Sequence, residues 1–185
     1  IYPYVNDHLK ESEALTSGAN CHAAIICNAS YADLQFLEDT QLPIPVVLYN
    51  RVCNGYCSVN VDDLKMGALA ARAFADQGCK TAAVLTSSPV FEGMENRMHG
   101  FRLEGEQHGL TILANRYCDN SIRGGYEAVS HRLRHEWKQQ LPDAVFCGSS
   151  AIAHGALRAF CEAGYIGEKL PRLIAVGNGP EESDA

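Results

Sequence analysis

The feature that most constrains the fold of this chain is a unit that recurs between residues 81 and 177. Each copy begins with a short apolar run, passes through a polar break into a segment with helical spacing, and usually ends on a glycine. The apolar runs occupy residues 82–85, 110–113, 144–147 and 173–176. They lie about thirty residues apart, which is the length of a βαβ unit. Strands buried on both faces have continuous apolar runs, so the pattern predicts a parallel sheet.

The segments between these runs carry apolar residues three or four positions apart, which places each set on one face of a helix. The three sets are Met94, Met98 and Phe101, then Tyr126, Val129 and Leu133, then Ile152, Ala156 and Phe160. Gly109 and Gly164 follow two of these helices, where the left-handed backbone conformation favours glycine. Because crossovers between parallel strands are right-handed, we expect helices on both faces of the sheet.

The residues before Cys79 predict a second, less regular α/β lobe. Strands are expected at 1–5, 23–27 and 44–48, and helices at 7–15, at 32–37 and from residue 62 or 63 to 77. The boundary between the lobes is placed near Cys79, because the helix that ends there precedes the regular repeat. The first lobe has fewer elements than a doubly wound sheet requires, so we expect the chain to be a fragment of a longer protein.

The composition is that of a soluble globular protein. Hydrophobic residues make up 46% of the chain and charged residues 20%. No apolar stretch approaches the ~20 residues that span a bilayer, and the first residues lack the basic and apolar regions of a secretion signal. We therefore expect a cytoplasmic protein that does not bind membranes. The net charge is −7 and no Lys/Arg cluster occurs, so this chain by itself is a poor candidate for binding nucleic acid.

The cysteines and histidines do not form a recognisable metal or catalytic motif. Eight cysteines are scattered through the sequence, which favours reduced cytosolic thiols over a disulfide framework. Cys53 and Cys57 form a C-x3-C pair, but no second pair or nearby histidine completes a zinc site. His131 and His135 lie one helical turn apart without a visible third ligand, which favours a solvated helix face. No phosphate loop or nucleophile elbow is present, so we expect no metal, no cofactor and no catalysis.

Seven short segments, spread over nearly the whole chain, carry a family resemblance through their order and spacing. They are residues 44–51, 61–63 with Gly67, 97–101, 125–128, 141–146, 155–159 and 174–177. Together they resemble the effector-binding core of the lactose-repressor (LacI/GalR) family of bacterial transcription regulators, which shares its fold with periplasmic sugar-binding proteins.

The resemblance implies an α/β fold with two doubly wound parallel-sheet lobes of the periplasmic-binding-protein-like type, joined by three crossings of the chain. Residues 1–79 would form the N-terminal lobe, incomplete in this chain, and residues 80–177 the C-terminal lobe. Residues 178–185 would begin the crossover back to the first lobe. The helix-turn-helix head of the family has no counterpart in this sequence.

The resemblance also implies a ligand cleft between the lobes, to which Asp62 and Arg97 would contribute. A carboxylate accepts hydrogen bonds from hydroxyl groups, and a guanidinium offers a fork of donors to carboxylate, phosphate or sugar oxygens. Asp62 has a second interpretation as a helix cap, and the two roles are compatible. For Arg97 the alternative is a solvated charge on a helix.

Other positions depart from the pattern of the family. Ser149 and Ser150 stand where the family commonly has Asn-Asp, Asn178 stands where it has an acidic pair, and Asn120 replaces an aromatic ring that stacks on the ligand. Phe91 is also placed among the ligand-binding residues. Ser149 serves equally well as a helix N-cap. These departures make an ordinary hexose a poor effector and leave room for a sugar derivative or a sugar phosphate.

The function implied is that of a small-molecule sensor in a DNA-binding transcriptional regulator, a repressor or an activator. The effector would be a sugar, a sugar derivative or a sugar phosphate, the protein a homodimer, and operator DNA would be bound only through a head outside this chain. Two alternatives stay open. An exported solute-binding protein of a sugar transporter would have a signal segment and few thiols. An α/β enzyme would need a reactive group of residues at the carboxyl ends of the strands.

Overall fold

The computed structural model describes residues 5–19, 21–27, 29–88, 92–113 and 116–177. The chain divides into two compact units, residues 1–63 with 90–95 and residues 64–89 with 96–185. This division assigns the helix before Cys79 to the second unit, whereas the sequence places it in the first lobe. The lobe boundaries implied by the resemblance stay a prediction.

The first unit contains a three-stranded parallel sheet with short helices around it. The strands are β1 (Ala24–Cys27), β2 (Val46–Tyr49) and β3 (Cys57–Val59), and they are ordered β1-β2-β3. The helices are α1 (Glu13–Thr16), which follows a 3-10 turn at Leu9–Glu11, and α2 (Tyr31–Asp39). Alternate strand residues enter one core with side chains from the turn and the helices. Its buried members are Leu9, Leu15, Ile26, Ala29, Leu37, Leu42, Val46, Leu48 and Cys53.

Most of the elements expected before residue 50 are confirmed, but the helix expected at 7–15 is wrong. The chain instead forms the 3-10 turn and α1, separated by Ser12 in an extended conformation (φ −73°, ψ 98°). The strand expected at 1–5 falls mainly on residues 1–4, outside the described residues. Strand β3 was not expected as a separate element, because its three residues are all exposed and show no alternation.

A buried carboxylate explains why the helix at 7–15 does not form. Asp33 is 1% exposed, and it accepts hydrogen bonds from the backbone amides of Asp7 (3.2 Å), Leu9 (3.0 Å) and Ser30 (3.0 Å). Ser30 caps α2, and its hydroxyl also lies 2.6 Å from Asp7 Oδ1. Asp7 and Leu9 thus donate to a side chain that lies more than twenty residues away, and the turn is fixed by α2 instead of by a local helix.

The second unit contains a parallel sheet of five strands. They are β4 (Thr81–Thr86), β5 (Thr111–Ile112), β6 (Arg116–Tyr117), β7 (Ala144–Cys147) and β8 (Arg172–Ala175). The strand order is β5-β4-β7-β8, and β6 also pairs with β4. The helices are α3 (Asp63–Asp76), α4 (Glu92–Gln107), α5 (Ile122–His135) and α6 (Ser150–Glu162). The four strands and the helices predicted from the repeat are therefore confirmed, while β6 was not predicted.

The two central strands, β4 and β7, are buried on both faces. Ala82, Val84 and Phe146 join a core with side chains of α3 and α4, whereas Leu85 and Val145 join a core with side chains of α5 and α6. These residues are at most 1% exposed. This arrangement confirms the explanation of the continuous apolar runs and the expectation of helices on both faces. Gly109 (φ 71°) and Gly164 (φ 87°) have the left-handed conformation expected after their helices.

Each helix pair of the second unit crosses at a pair of glycines. Between α3 and α4, a Cβ added to Gly67 would collide with the carbonyl of Arg97, and one added to Gly100 with the carbonyl of Leu64. Between α5 and α6, Gly125 and Gly155 meet the opposite backbone in the same way. Helix axes can approach this closely only where side chains are absent, so the glycines set the distance between the helices of each pair.

No helix among the described residues has both the length and the apolar character needed to cross a bilayer.

The Asp33 network predicts an acid-sensitive first unit. Burial acts to raise the pKa of Asp33, but hydrogen bonds from the amides of Ser30, Leu9 and Asp7 outweigh it, so the pKa lies below its ordinary value. A carboxyl group with a lowered pKa in the folded state stabilises the fold at neutral pH, and this stability is lost as pH falls below about 5 and through the lowered pKa of the folded state. We expect Asp33→Asn to lower the free energy of unfolding by about 2 kcal/mol at pH 7. The variant should also lose less of its stability than the wild type when the pH is lowered. Urea unfolding followed by far-UV circular dichroism at pH 7 and pH 3.5 checks this. The expectation would be contradicted if Asp33→Asn lost as much stability between the two pH values as the wild type does.

The glycine crossings predict that one methyl group, added at a crossing, strongly lowers the stability of the second unit. Gly155→Ala should destabilise the second unit by about 3 kcal/mol, because the added Cβ overlaps the backbone of α5 at Ile122. The only tryptophan, Trp137, stacks on Phe160 of α6 at 6.0 Å between ring centroids, so its fluorescence reports the unfolding. Gly105→Ala is the matched control, since its nearest neighbour is the movable Ile112 Cδ1 at 3.0 Å; it should change stability by less than about 1 kcal/mol. Equal effects of the two substitutions would refute the close-packing argument.

Candidate functional site

The strand order of the second unit places a crevice-forming edge at the carboxyl ends of its strands. Strand β4 comes first in the chain but lies between β7 on one side and β5 and β6 on the other. The connections from β4 and from β6 therefore leave the sheet in opposite directions, and the loops after them diverge. In open parallel sheets this topological switch point is where ligands bind. The loops involved are residues 87–88, 118–121, 148–149 and 176–177.

A side-chain hydrogen bond joins two of these loops and two of the predicted site residues. Ser149 Oγ donates to Asn120 Oδ1 at 2.6 Å, and it accepts from the amide of Ile152 at 3.2 Å as the N-cap of α6. The cap interpretation of Ser149 is therefore confirmed. Asn120 is exposed, and Ser149 is partly exposed. The structure thus brings Ser149 and Asn120 together although they lie 29 residues apart in the chain.

The strand ends beside this pair approach each other closely. A Cβ on Gly148 would lie 2.5 Å from Thr86 Oγ1, so β7 leaves the sheet directly against the end of β4. Gly177 has φ 119°, and a Cβ there would lie 3.4 Å from Ser150 Oγ. The hydroxyl groups of Thr86 and Ser150 are therefore held near the loops that carry Ser149. The result is an edge with polar groups at the ends of β4, β7 and β8.

The chemistry of this edge suits recognition of polar groups. Side chains that carry a hydroxyl or an amide predominate here: Thr86, Ser87, Asn120, Ser121, Ser149 and Ser150. Hydroxyl groups both donate and accept, and amides do so through separate atoms. The N-termini of α5 and α6 also lie here, capped by Ser121 at 2.9 Å and by Ser149. Helix N-termini favour negative or electron-rich groups.

The thiols close to this edge are poor nucleophiles. Burial raises the pKa of Cys118, whose Sγ lies 3.8 Å from the carbonyl oxygen of Thr86. Burial raises the pKa of Cys147 to about 12. Both groups are therefore protonated near neutral pH, and the thiolate is the reactive form of cysteine.

The carboxyl edge of the first unit is held together by two residues that the sequence analysis did not place in a site. Asn50 has a left-handed backbone (φ 56°), and its Oδ1 accepts from the amide of Val61 at 2.9 Å. Arg51 is 6% exposed, and its guanidinium donates to the carbonyls of Ala29 and Asn50. Together they fasten the loops after β1, β2 and β3. In the sequence, the only signal for these two residues is that they end the family-like segment 44–51.

The remaining predicted site residues are distributed over both units. Asp62 is exposed and lies directly before α3 in the first unit, and Arg97 is partly buried on α4 in the second. Phe91 and Asn178 lie outside the described residues. The ligand-binding roles of all six residues stay predictions.

The described residues contain no group of three or more His, Cys, Asp or Glu side chains that could hold a metal ion. The His131 and His135 rings lie 4.5 Å apart between centroids on the exposed side of α5. Cys53 is buried, whereas Cys57 is exposed.

Comparisons with known proteins agree with this fold. A family model described as a periplasmic binding protein-like domain matches residues 71–184. A solved LacI-family transcription regulator from Clostridium acetobutylicum is 32% identical, with a TM-score of 0.84, and the match covers 94% of this chain and 64% of that one. A sugar-binding LacI-family regulator from Escherichia coli, complexed with phosphate, shares the fold at 21% identity and a TM-score of 0.70 over 86% of this chain and 58% of that one. The predicted α/β fold class is confirmed.

A curated relative, the HTH-type transcriptional repressor PurR of Glaesserella parasuis, is 28% identical over 137 residues, which are 72% of this chain and 38% of that protein. This chain spans about half the length or less of the curated repressors that it matches.

The contacts of Ser149 and Asn120 predict that substituting the two residues destabilises the second unit by different amounts. Ser149→Ala removes the N-cap of α6 and should destabilise the second unit by about 1 kcal/mol. Asn120→Ala removes only an exposed hydrogen bond, so it should cost less than about 0.5 kcal/mol. Urea unfolding followed by Trp137 fluorescence measures both. Equal losses would mean that the bond to Asn120, and not the cap, carries the stability.

Proposed function

Because this chain belongs to the periplasmic binding protein-like domain family and matches the effector-binding region of LacI-family regulators, we propose that it senses a small polar molecule for a DNA-binding transcriptional regulator. Binding is proposed to control transcription, and no chemical step is assigned to the site. The names of the curated relatives, all of which are repressors, favour this proposal over an exported solute-binding protein.

The observation that carries the proposal is the hydrogen bond between Ser149 and Asn120. It holds two loops side by side at the switch point of the second sheet, with both residues accessible to a solute. The thiols nearby are protonated, so the edge offers hydrogen-bonding groups without a strong nucleophile. Such a set of groups can recognise hydroxyl or oxyanion groups of a ligand but has little capacity to cleave it.

We propose that Asp62 and Arg97 complete the ligand-binding residues. The carboxylate of Asp62 would accept hydrogen bonds from ligand hydroxyls, and the Arg97 guanidinium would bind oxygens of a sugar or a phosphate group. Phe91 and Asn178 are proposed contributors from the resemblance alone. In the edge around Ser149, hydroxyl and amide groups outnumber the single carboxylate of Asp119. This composition supports a sugar derivative or a sugar phosphate as the effector, rather than an ordinary hexose.

The proposed coupling to DNA is conformational. A ligand that binds one arrangement of the two lobes more tightly than the other shifts the population toward it. In a homodimer, that shift would change the spacing of two attached DNA-binding heads and hence their affinity for an operator. The net charge of −7 supports a head outside this chain as the DNA-binding part. The proposed compartment is the cytoplasm.

A thermal-shift screen tests the ligand proposal. Sugars, sugar acids, sugar phosphates and nucleobases are each added to the protein, and a ligand at about 100 times its Kd should stabilise the fold by about 2.7 kcal/mol. Asp62→Asn should abolish the shift given by the best compound, since asparagine retains the capping ability of aspartate but loses the negative charge. Asp76→Asn, at an exposed position near the end of α3, is the control and should retain the shift.

Two results would contradict the proposal. One is a screen in which no polar compound stabilises the protein. The other is a shift that survives in Asp62→Asn and in a Ser149→Ala/Asn120→Ala double variant, because the ligand would then bind elsewhere.

A further inference from the structure

The turn between β2 and β3 has a reactive dipeptide at its tip. Asn54 and Gly55 are exposed, and the amide of Tyr56 closes the turn by donating to the carbonyl of Cys53 at 3.3 Å. Gly55 has φ 83°, the left-handed conformation that a type II turn has at its third residue. Apart from its two chain neighbours, no described residue has a heavy atom within 4 Å of the place where a Cβ on Gly55 would stand. Water and hydroxide therefore reach the backbone at the tip.

An asparagine that precedes a glycine can lose its side-chain amide without an enzyme. Base removes the proton of the Gly55 amide, and the nitrogen attacks Asn54 Cγ. The N–Cγ bond forms and the Cγ–Nδ2 bond breaks, while Nδ2 takes a proton from water and leaves as ammonia. Water then opens the cyclic imide. Attack at Cγ gives aspartate, and attack at the backbone carbonyl carbon gives isoaspartate, in which the main chain runs through Cβ and Cγ. Glycine favours the ring closure because it has no Cβ and its backbone is permissive.

Asn60 is the appropriate comparison in the same unit. It is exposed as well, but the next residue is Val61, whose branched side chain crowds its own backbone nitrogen. The Nδ2 of Asn60 also donates to Ser58 Oγ at 2.8 Å, which restrains the side-chain amide. Exposure therefore does not distinguish the two asparagines, whereas the residue that follows each of them does.

Both flanks of the turn are fixed to the first unit. Cys53 is 5% exposed and belongs to the core of that unit. Tyr56 Oη donates to the carbonyl of Thr40 at 2.6 Å and accepts from the amide of Leu42 at 3.3 Å, so it holds the segment after α2. An isoaspartyl bond adds one carbon atom to the backbone between these flanks. The lengthened turn no longer fits between them, and contacts of Cys53 or Tyr56 are lost.

We propose that Asn54 is a site of spontaneous deamidation and that its isoaspartyl product destabilises the first unit but not the second. Conversion to aspartate leaves the backbone length unchanged, so that product only adds a negative charge at an exposed position. The second unit keeps its stability because residues 53–56 belong to neither of its cores. The inference does not depend on the identity of any ligand.

Peptide mass spectrometry measures the modification. The protein is kept at pH 7 and at pH 9, and samples are digested with trypsin over time. The peptide of residues 52–65 contains both asparagines, and its fragment ions assign the modification to Asn54 or Asn60. Asn54 should deamidate at least ~10-fold faster than Asn60, and faster at pH 9 because the deprotonated amide attacks. Asn54→Gln should stay unmodified at this position, since glutamine would have to form a larger ring.

Alkylation of two buried thiols measures the consequence. Cys53 is buried in the first unit and Cys79 in the second, so the reaction of each with N-ethylmaleimide reports how often its unit opens. Cys53 lies on the same tryptic peptide as Asn54, and its alkylation can be read separately for the isoaspartyl and unmodified forms. It should react about fivefold faster in the isoaspartyl form. Cys79 should react at one rate in fresh and aged protein. Asn54→Asp, which has the charge without the extra carbon atom, should leave both rates unchanged.

Four results would overturn the inference. The first is deamidation of Asn54 no faster than that of Asn60. The second is an equal rate of Cys53 alkylation in the isoaspartyl and unmodified forms. The third is an increase for Cys79 in aged protein as large as that for Cys53, which would mean that the whole chain is destabilised. The fourth is an equal acceleration in fresh Asn54→Asp, which would assign the effect to charge and not to the length of the turn.

Discussion

Strand β4 is bonded on both edges and covered on both faces, and the geometry of the second unit follows from that position. Its residues Ala82–Leu85 are wholly buried, and its edges pair with β7 on one side and with β5 and β6 on the other. The middle of a strand in this position must be apolar, since neither face meets water. The strands on its two edges in turn create the divergence of loops at its carboxyl end. The burial that stabilises the unit therefore also determines where a ligand can enter.

The sequence predicts the elements of the second unit well because their signals are local and repeated. The apolar runs at residues 82–85, 110–113, 144–147 and 173–176 lie about thirty residues apart, which leaves room for one helix between consecutive runs. Prediction fails where distant residues compete with local preference. The segment at 7–15 has helical spacing, but Asp33 binds the amides of Asp7 and Leu9, and a turn forms instead. Strand β3 escapes detection since it has three residues, all of them exposed.

In the candidate site, too, local features could be predicted from the sequence, whereas contacts between distant residues could not. Ser149 could be predicted as a cap because it lies directly before a helix, and its bond to Asn120 could not, since it depends on how β6 and β7 are aligned on either side of β4. Asn50 and Arg51 appear in the sequence only as part of a family-like segment. Their role in joining three loops depends on the parallel register of β1, β2 and β3. Residues that act through tertiary hydrogen bonds leave little local trace in a sequence.

The glycine crossings have a mechanical consequence. Where Gly67 meets Arg97 and Gly155 meets Ile122, backbone lies directly on backbone, and no flexible side chain intervenes to absorb a shift. Sliding one helix along its partner would drive a carbonyl into a neighbouring residue that has a side chain. The helices of each pair should therefore resist sliding along each other, and the second unit should move as a rigid body.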